Sequence, residues 1–109
     1  MANTFKNFRG ALTTGGVECY VCPANTTAIV LHLQIANVHA TDSADVTVHW
    51  TDDSVSDAVT RLASTVVVPS DTSLSVLTGK LVLMAGDTIV GKASADSKLE
   101  LSGSVLEMS

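Results

Sequence analysis

The chain has 109 residues, of which 46% are hydrophobic, 16% charged and only 4% aromatic. That length suits one domain, the hydrophobic share excludes intrinsic disorder, and two prolines with seven glycines exclude a collagen-like or linker composition. The formal charge of −5, with its six basic residues scattered, argues against nucleic acid as a partner, and no apolar run approaches the roughly 18 residues that span a bilayer, which argues against a membrane.

Residues 1–16 read as an N-terminal arm ahead of a β-sandwich domain over 17–109. Phe5 and Phe8, half of all the aromatics, sit among Lys6, Asn7 and Arg9, before Gly10 and the flexible Thr13-Thr14-Gly15-Gly16. Without Lys6 and Arg9, residues 11–109 hold four basic against eleven acidic groups, a formal charge of −7, so the segment is basic and aromatic while the body is acidic. Aromatic side chains bury large areas and do not stay solvated in a tail. The arm therefore docks either on the chain's own body or on a neighbouring subunit, with Phe5 and Phe8 as anchors. The first ten residues carry no apolar block of a secretory signal, so the expectation is synthesis and retention in the cytosol.

From Val17 onward the apolar residues recur with a period of two, the strand signal. Val17–Val21 is the first such run and leads into the turn Pro23-Ala-Asn25. Residues 29–35 place Ile29, Leu31, Leu33 and Ile35 on one face, with Val30, His32 and Gln34 on the other. Residues 45–52 set Val46, Val48 and Trp50 against Asp45, Thr47, His49 and Thr51. A hairpin closing through the polar stretch 39–44 puts Leu33 opposite Trp50 and Ile35 opposite Val48, with both apolar faces on one side. Residues 53–61, with Val55, Ala58, Val59 and then Leu62, suggest a single helical turn. Shorter strands follow at Leu62–Val68, Leu74–Leu77, Lys80–Met84, Thr88–Ala93 and Leu99–Met108, separated by Pro69-Ser-Asp71, Thr78-Gly79 and Ala85-Gly86-Asp87. Seven to eight short strands with no room for crossover helices predict an all-β, antiparallel β-sandwich of jelly-roll-like form. Its core is a Val/Leu/Ile lattice with Trp50 at the centre.

Chemistry-bearing motifs are sparse. Cys19-Tyr-Val-Cys22 has the C-x-x-C spacing, but it lies in a strand rather than at a helix N-terminus, and no second ligand pair completes a zinc site. Two cysteines three apart in an extended strand also point to opposite faces, so they read as two buried or half-buried thiols. His32 and His49 fall near each other on the outer face of the predicted hairpin, as a solvated or interface pair. Asp52, Asp53 and Asp57 form an acidic loop without the tight glycine of a calcium loop, and Asp42 and Asp45 lie in another. No nucleophile sits in an elbow or a glycine-rich loop, so the expectation is a protein that is not an enzyme and uses no cofactor and no metal.

Taken in order, the chain reads Tyr20-Val-Cys-Pro-Ala-Asn-Thr-Thr27, Ile29-Val-Leu-His-Leu-Gln-Ile-Ala-Asn37, Ala44-Asp-Val-Thr-Val-His49, Val66-Val-Val-Pro69, Ser73-Leu-Ser-Val-Leu77, Gly79-Lys-Leu-Val-Leu83, Ala85-Gly-Asp-Thr88 and Ser104-Val-Leu-Glu107. That series, over residues 18 to 108, resembles the small all-β virion structural proteins of tailed bacteriophages. The two cysteines beside Tyr20 and the longer Phe-bearing arm depart from the pattern. The resemblance implies a structural protein of the virion that decorates or cements the capsid, assembled in the host cytoplasm. Its partners would be the major capsid protein or other virion proteins, together with copies of itself in a homotrimer. Under it, Phe5, Phe8 and Arg9 are the contact residues, and Lys6 adds charge pairing with the shell. The alternatives are a neck, tail or baseplate component, and a small carbohydrate-binding β-module using the loops around Asp42 and Asp52. An inward Trp50 and a solitary Tyr20 offer no stacked platform for such a sugar.

Overall fold

The computed structural model describes residues 3–109. Met1 and Ala2 of the predicted arm lie outside the described residues. Nine strands run in chain order: β1 (Asn3–Ala11), β2 (Val17–Val21), β3 (Thr27–Asn37), β4 (Ala44–Asp52), β5 (Ala58–Val68), β6 (Ser73–Ser75), β7 (Leu81–Leu83), β8 (Thr88–Ala93) and β9 (Leu99–Met108).

The pairing is nested and antiparallel throughout. β4 pairs with β5, β3 with both β6 and β7, β2 with β8, and β1 with β9. The chain is therefore one long ribbon doubled back at β4–β5, with β6 and β7 as two halves of an interrupted strand. Rolling that ribbon places alternate pairs in opposite sheets. One sheet has the order β1-β9-β3-β6, with β7 also on β3, and the other has the order β2-β8-β4-β5. This is the jelly-roll arrangement of an all-β antiparallel sandwich, as the strand spacing predicts.

Side chains follow from the pleat. On β4, Ala44, Val46 and Val48 are buried, and on β9, Leu99, Leu101 and Val105 are buried, while their neighbours alternate outward. Leu33, Ile35, Val68, Leu83 and Ile89 complete an aliphatic core. Each such side chain contributes about 1.5–3 kcal/mol when fully removed from water, so the Val/Leu/Ile set suffices without large rings. Trp50 does not occupy the centre. It is half-buried and packs against the core's margin, as do Phe8 and Tyr20.

Three local expectations give way. β3 and β4 do not form a hairpin: they lie in different sheets and face the same core from opposite sides. Alternation shows which residues turn inward, and two strands present the same inward pattern whether they lie side by side or face to face. Asn37 fixes the choice. Its buried side chain donates to the carbonyls of Asp42 (3.0 Å) and Val68 (2.9 Å) and accepts from the His39 N–H (2.9 Å), which turns the chain over the top of the sandwich.

The β3 face assignment also changes. A bulge between Val30 and His32 shifts the register, so the inward set is Ala28, Val30, Leu33, Ile35 and Asn37 rather than Ile29, Leu31, Leu33 and Ile35. Finally, the helical turn predicted over 53–61 is a 3-10 turn of three residues, Asp53–Val55, capped by the Asp52 side chain accepting from the Ser54 N–H. β5 then begins at Ala58 rather than Leu62.

Gly103 on β9 is required by packing. A Cβ there would collide with the Phe8 ring and stand 2.7 Å from the His32 carbonyl oxygen, whose backbone cannot yield. Gly103→Ala should therefore cost about 1–3 kcal/mol in urea denaturation, the range for overpacking. Gly79→Ala, where an added Cβ meets nothing, should stay within about 0.5 kcal/mol of wild type.

Candidate assembly surface

The arm resolves into a strand and a turn. Residues 3–11 form β1, paired with β9 over nine consecutive positions from Asn3↔Met108 to Ala11↔Glu100, and residues 12–16 lead over to β2. Of the two docking options left open by the sequence, the described residues take the first: the segment lies on the chain's own body. It occupies the outer edge of the five-stranded sheet.

Pleating splits the four candidate contact residues. Lys6 and Phe8 stand opposite the inward-facing Val105 and Gly103, whereas Phe5 and Arg9 stand opposite Leu106 and Ser102 on the outer face. Phe8 is half-buried over Gly103, its ring centroid 5.2 Å from that of Tyr20 at an interplanar angle of 33°. Lys6 Nζ lies 2.9 Å from Glu107 Oε1, and the Tyr20 hydroxyl donates to Glu107 Oε2 at 2.5 Å. Lys6 and Phe8 thus hold the strand to the body, while Phe5 and Arg9 are presented outward. Phe5 is 74% exposed, the most exposed of the large apolar side chains among the described residues.

The Lys6–Glu107–Tyr20 cluster is a latch between β1, β9 and β2. The hydrogen bond from Tyr20, and then Lys6, hold the Glu107 carboxyl below its usual range. Burial first, then Glu107, push the Tyr20 hydroxyl up. An ion pair with one exposed partner adds at most about 1 kcal/mol. A hydroxyl-to-carboxylate bond away from bulk water adds about 1.5–3 kcal/mol, so Tyr20 dominates the latch.

The register also assembles a feature the sequence reading missed. Phe5 on β1 is opposite Leu106 on β9, Leu106 opposite Ile29 on β3, and Ile29 opposite Val82 on β7. Four apolar side chains from four strands make one continuous row across the outer face, with Phe5 and Val82 exposed at its ends. The parallel row Arg9–Ser102–Gln34–Ser75 is polar. Leu106 was the available signal, because it is apolar at an even position of a strand whose odd positions face inward. Ile29 was hidden by the β3 bulge.

The edges of the two sheets differ in kind. β2 is five residues long and bulged between Glu18 and Tyr20. β5 is irregular opposite Val46–His49, with Thr65 at φ 52°, and β6 and β7 have three residues each. Such bulges and short lengths blunt an edge against pairing with other chains. β1 alone is both long and unbroken in register.

The remaining candidates are dispersed. His32 is exposed on β3 and His49 half-buried on β4, in opposite sheets, so the predicted pair does not exist. Cys22 is 1% exposed and donates to the Thr26 carbonyl at 3.3 Å. Cys19 is half-buried beneath Gly10, and burial raises both thiols above their ordinary range. Asp52 is taken up in capping the 3-10 turn. The buried Asp87, in the turn before β8, accepts from the N–H groups of Asp53 and Met84.

No protein-family model matches the chain, and no curated protein matches it in sequence. Solved structures share its fold. One is a chain of the acid-stable capsid of Helicobacter pylori bacteriophage KHP30, with a TM-score of 0.61 at 11% identity, covering 98% of this chain and 87% of that one. Another is a chain of the Bacillus endospore appendages, a family of disulfide-linked pili, with a TM-score of 0.58 at 12% identity, covering 99% and 87%. At that identity the likeness is one of fold: the same jelly roll builds a phage capsid chain and a pilus chain.

The latch gives a pH signature. The folded-state pKa of Glu107 lies below its unfolded value near about 4.3, so its contribution is present above that pH and lost as pH falls through the folded value. Tyr20 is raised above its unfolded value near about 10, so its contribution is present below that pH and lost as pH rises. Glu107→Gln should cost about 1–3 kcal/mol at neutral pH. The gap to wild type should narrow as chemical denaturation is repeated from about pH 6 down to about pH 3.

Proposed function

We propose that this chain is a structural subunit of a bacteriophage virion that decorates or cements the capsid shell. The observation that carries the reading is β1: a long, regular, unblunted edge that presents Phe5 and Arg9 outward and continues into an apolar row across the sheet. An open strand edge offers backbone donors and acceptors to a partner, and an exposed aromatic beside it supplies an anchor. The capsid chain of phage KHP30, which has the same fold, and the resemblance in motif order to small virion proteins of tailed phages both support it. The partners are the major capsid protein or other virion proteins, and further copies of this chain. A subunit that binds only the assembled shell stabilises it by mass action.

Disulfide-linked assembly of the kind named for the Bacillus appendages is less well supported, because Cys22 is buried and Cys19 is covered by β1. A neck, tail or baseplate position is the alternative within the virion, and copy number separates it from the shell.

Truncating the arm would strip the partner from β9 and uncover Glu107, so outward-facing substitutions make the cleaner test. Phe5→Glu combined with Arg9→Glu should leave the denaturation midpoint nearly unchanged, as surface changes do. Incorporation into particles should fall at least about ten-fold, the effect of losing one interface anchor. Full loading of the double variant would overturn the β1 assignment. Quantifying copies per purified particle then tests position, hundreds indicating the shell and a dozen or fewer a neck or tail ring.

A further inference from the structure

The opposite side of the sandwich carries a second feature. The outer face of the four-stranded sheet holds an open groove of about 620 Å³, within the range of small-ligand sites. Its floor is β4, its walls are β5 and β8, and the Gly15–Gly16 turn closes one end.

The register states what lies in it. His49 on β4 has Arg61 opposite on β5 and Val90 opposite on β8, and the next residue outward on β4, Thr47, has Lys92 opposite on β8. Arg61 and Lys92 thus stand on opposite walls, one row apart, on strands about 10 Å from each other, and both side chains are long enough to converge over the floor. Lys6 and Lys98 are held by Glu107 and Asp42, but among the described residues neither Arg61 nor Lys92 enters an ion pair. A protein with a formal charge of −5 therefore keeps two uncommitted cations around one groove.

The polar groups between them are oriented by the fold. Thr47 Oγ1 accepts from the Thr65 N–H at 3.0 Å, and Ser94 Oγ accepts from the Asp45 N–H at 2.8 Å. Each hydroxyl has its oxygen engaged, which leaves its own proton to donate into the groove. Asp45, half-buried at the Ser94 end, is an acceptor. Burial and the neighbouring Arg61 hold His49 below its ordinary range, which favours the uncharged imidazole. Val59 and Val90 supply apolar surface.

We propose that this groove binds a carboxylate-bearing saccharide, with the carboxylate between Arg61 and Lys92 and the ring hydroxyls on Thr47, Ser94 and Asp45. Arginine and lysine recognise a carboxylate by charge-assisted hydrogen bonds. Hydroxyl-rich rings need donors and an acceptor together, which Thr47, Ser94 and Asp45 provide, while Val59 and Val90 meet the C–H faces. Asp45 also disfavours an acidic peptide, whose further carboxylates would be forced against it. The groove lies on the sheet away from β1, so the proposal is independent of how the subunit attaches.

The test is a ¹H–¹⁵N NMR titration of the whole chain with D-glucuronate, alongside D-glucose, acetate and a short oligoglutamate peptide. Saturating shifts at Thr47, His49, Arg61 and Lys92 are expected with glucuronate. Glucose and acetate should each bind at least about ten-fold more weakly, since each lacks one half of the recognition. Arg61→Gln with Lys92→Gln, both exposed, should keep the spectrum of a folded chain and weaken glucuronate by at least about ten-fold. Absence of saturation with glucuronate overturns the proposal, as does unaltered affinity in the double variant. Glucose equal to glucuronate overturns the carboxylate assignment, acetate equal to glucuronate overturns the saccharide, and tighter oligoglutamate makes the groove a peptide site instead.

Discussion

β1 belongs to a sheet only through β9, which pairs along its length with Asn3–Ala11 on one side and Thr27–Asn37 on the other while Leu99, Leu101 and Val105 fill the core. The first strand therefore has no partner until the last one is in place. Only β4 and β5 are consecutive strands that pair with each other, and each further pair, β3 with β6 and β7, then β2 with β8, then β1 with β9, closes a longer loop. Loop closure grows costlier only slowly with length, so once the inner pairs exist the outer ones add little entropy cost and much buried area. Gly103 is where this closure is most exacting. Both neighbours of β9 press on it, β1 through the Phe8 ring and β3 through the His32 carbonyl.

The sandwich was legible because alternation survives in the strands that build most of the core. Ala44, Val46 and Val48 on β4 and the odd residues of β9 are buried as their pattern demands. Partnership was not legible. Leu33 and Ile35 match Val46 and Val48 equally well as neighbours in one sheet or as opposite walls, and the deciding contact is the Asn37 amide, a tertiary bond to Asp42 and Val68 with no periodic signature. The β3 bulge hid a second fact, since a single extra residue moves Ile29 from the expected core to the outer row with Leu106 and Val82. At the candidate surface, the sequence singled out the segment but could not tell Phe5 from Phe8. Three residues apart in a strand, they fall on opposite faces, and only the register with Leu106 and Gly103 assigns them.

Charge placement follows the same division. Lysine on an exposed edge normally discourages another strand from pairing there. On β1 the Lys6 ammonium is drawn inward to Glu107, and the edge is left with Arg9 as its outward charge. The residue that would have protected the edge instead fastens the strand to the body. The other edges carry bulges, a left-handed residue or short strands, so the selective openness of β1 is a property of the whole molecule rather than of one segment.

The two outer faces of the sandwich consequently have different characters for a geometric reason. β1, Phe5 and the apolar row belong to the five-stranded sheet, whereas Arg61, His49 and Lys92 belong to the four-stranded one. The core lies between them, so a partner seated along β1 and the Phe5 row does not cover the groove. A jelly roll alternates successive strand pairs between its sheets, and that alternation separates the edge of β1 from the floor built on β4. Attachment through the first sheet would leave the second facing solution, repeated at every copy. A weak single-site affinity multiplies when identical sites are held at fixed spacing. On an assembled surface, the groove's binding strength would therefore be set less by Arg61 and Lys92 alone than by how many copies β1 holds in place.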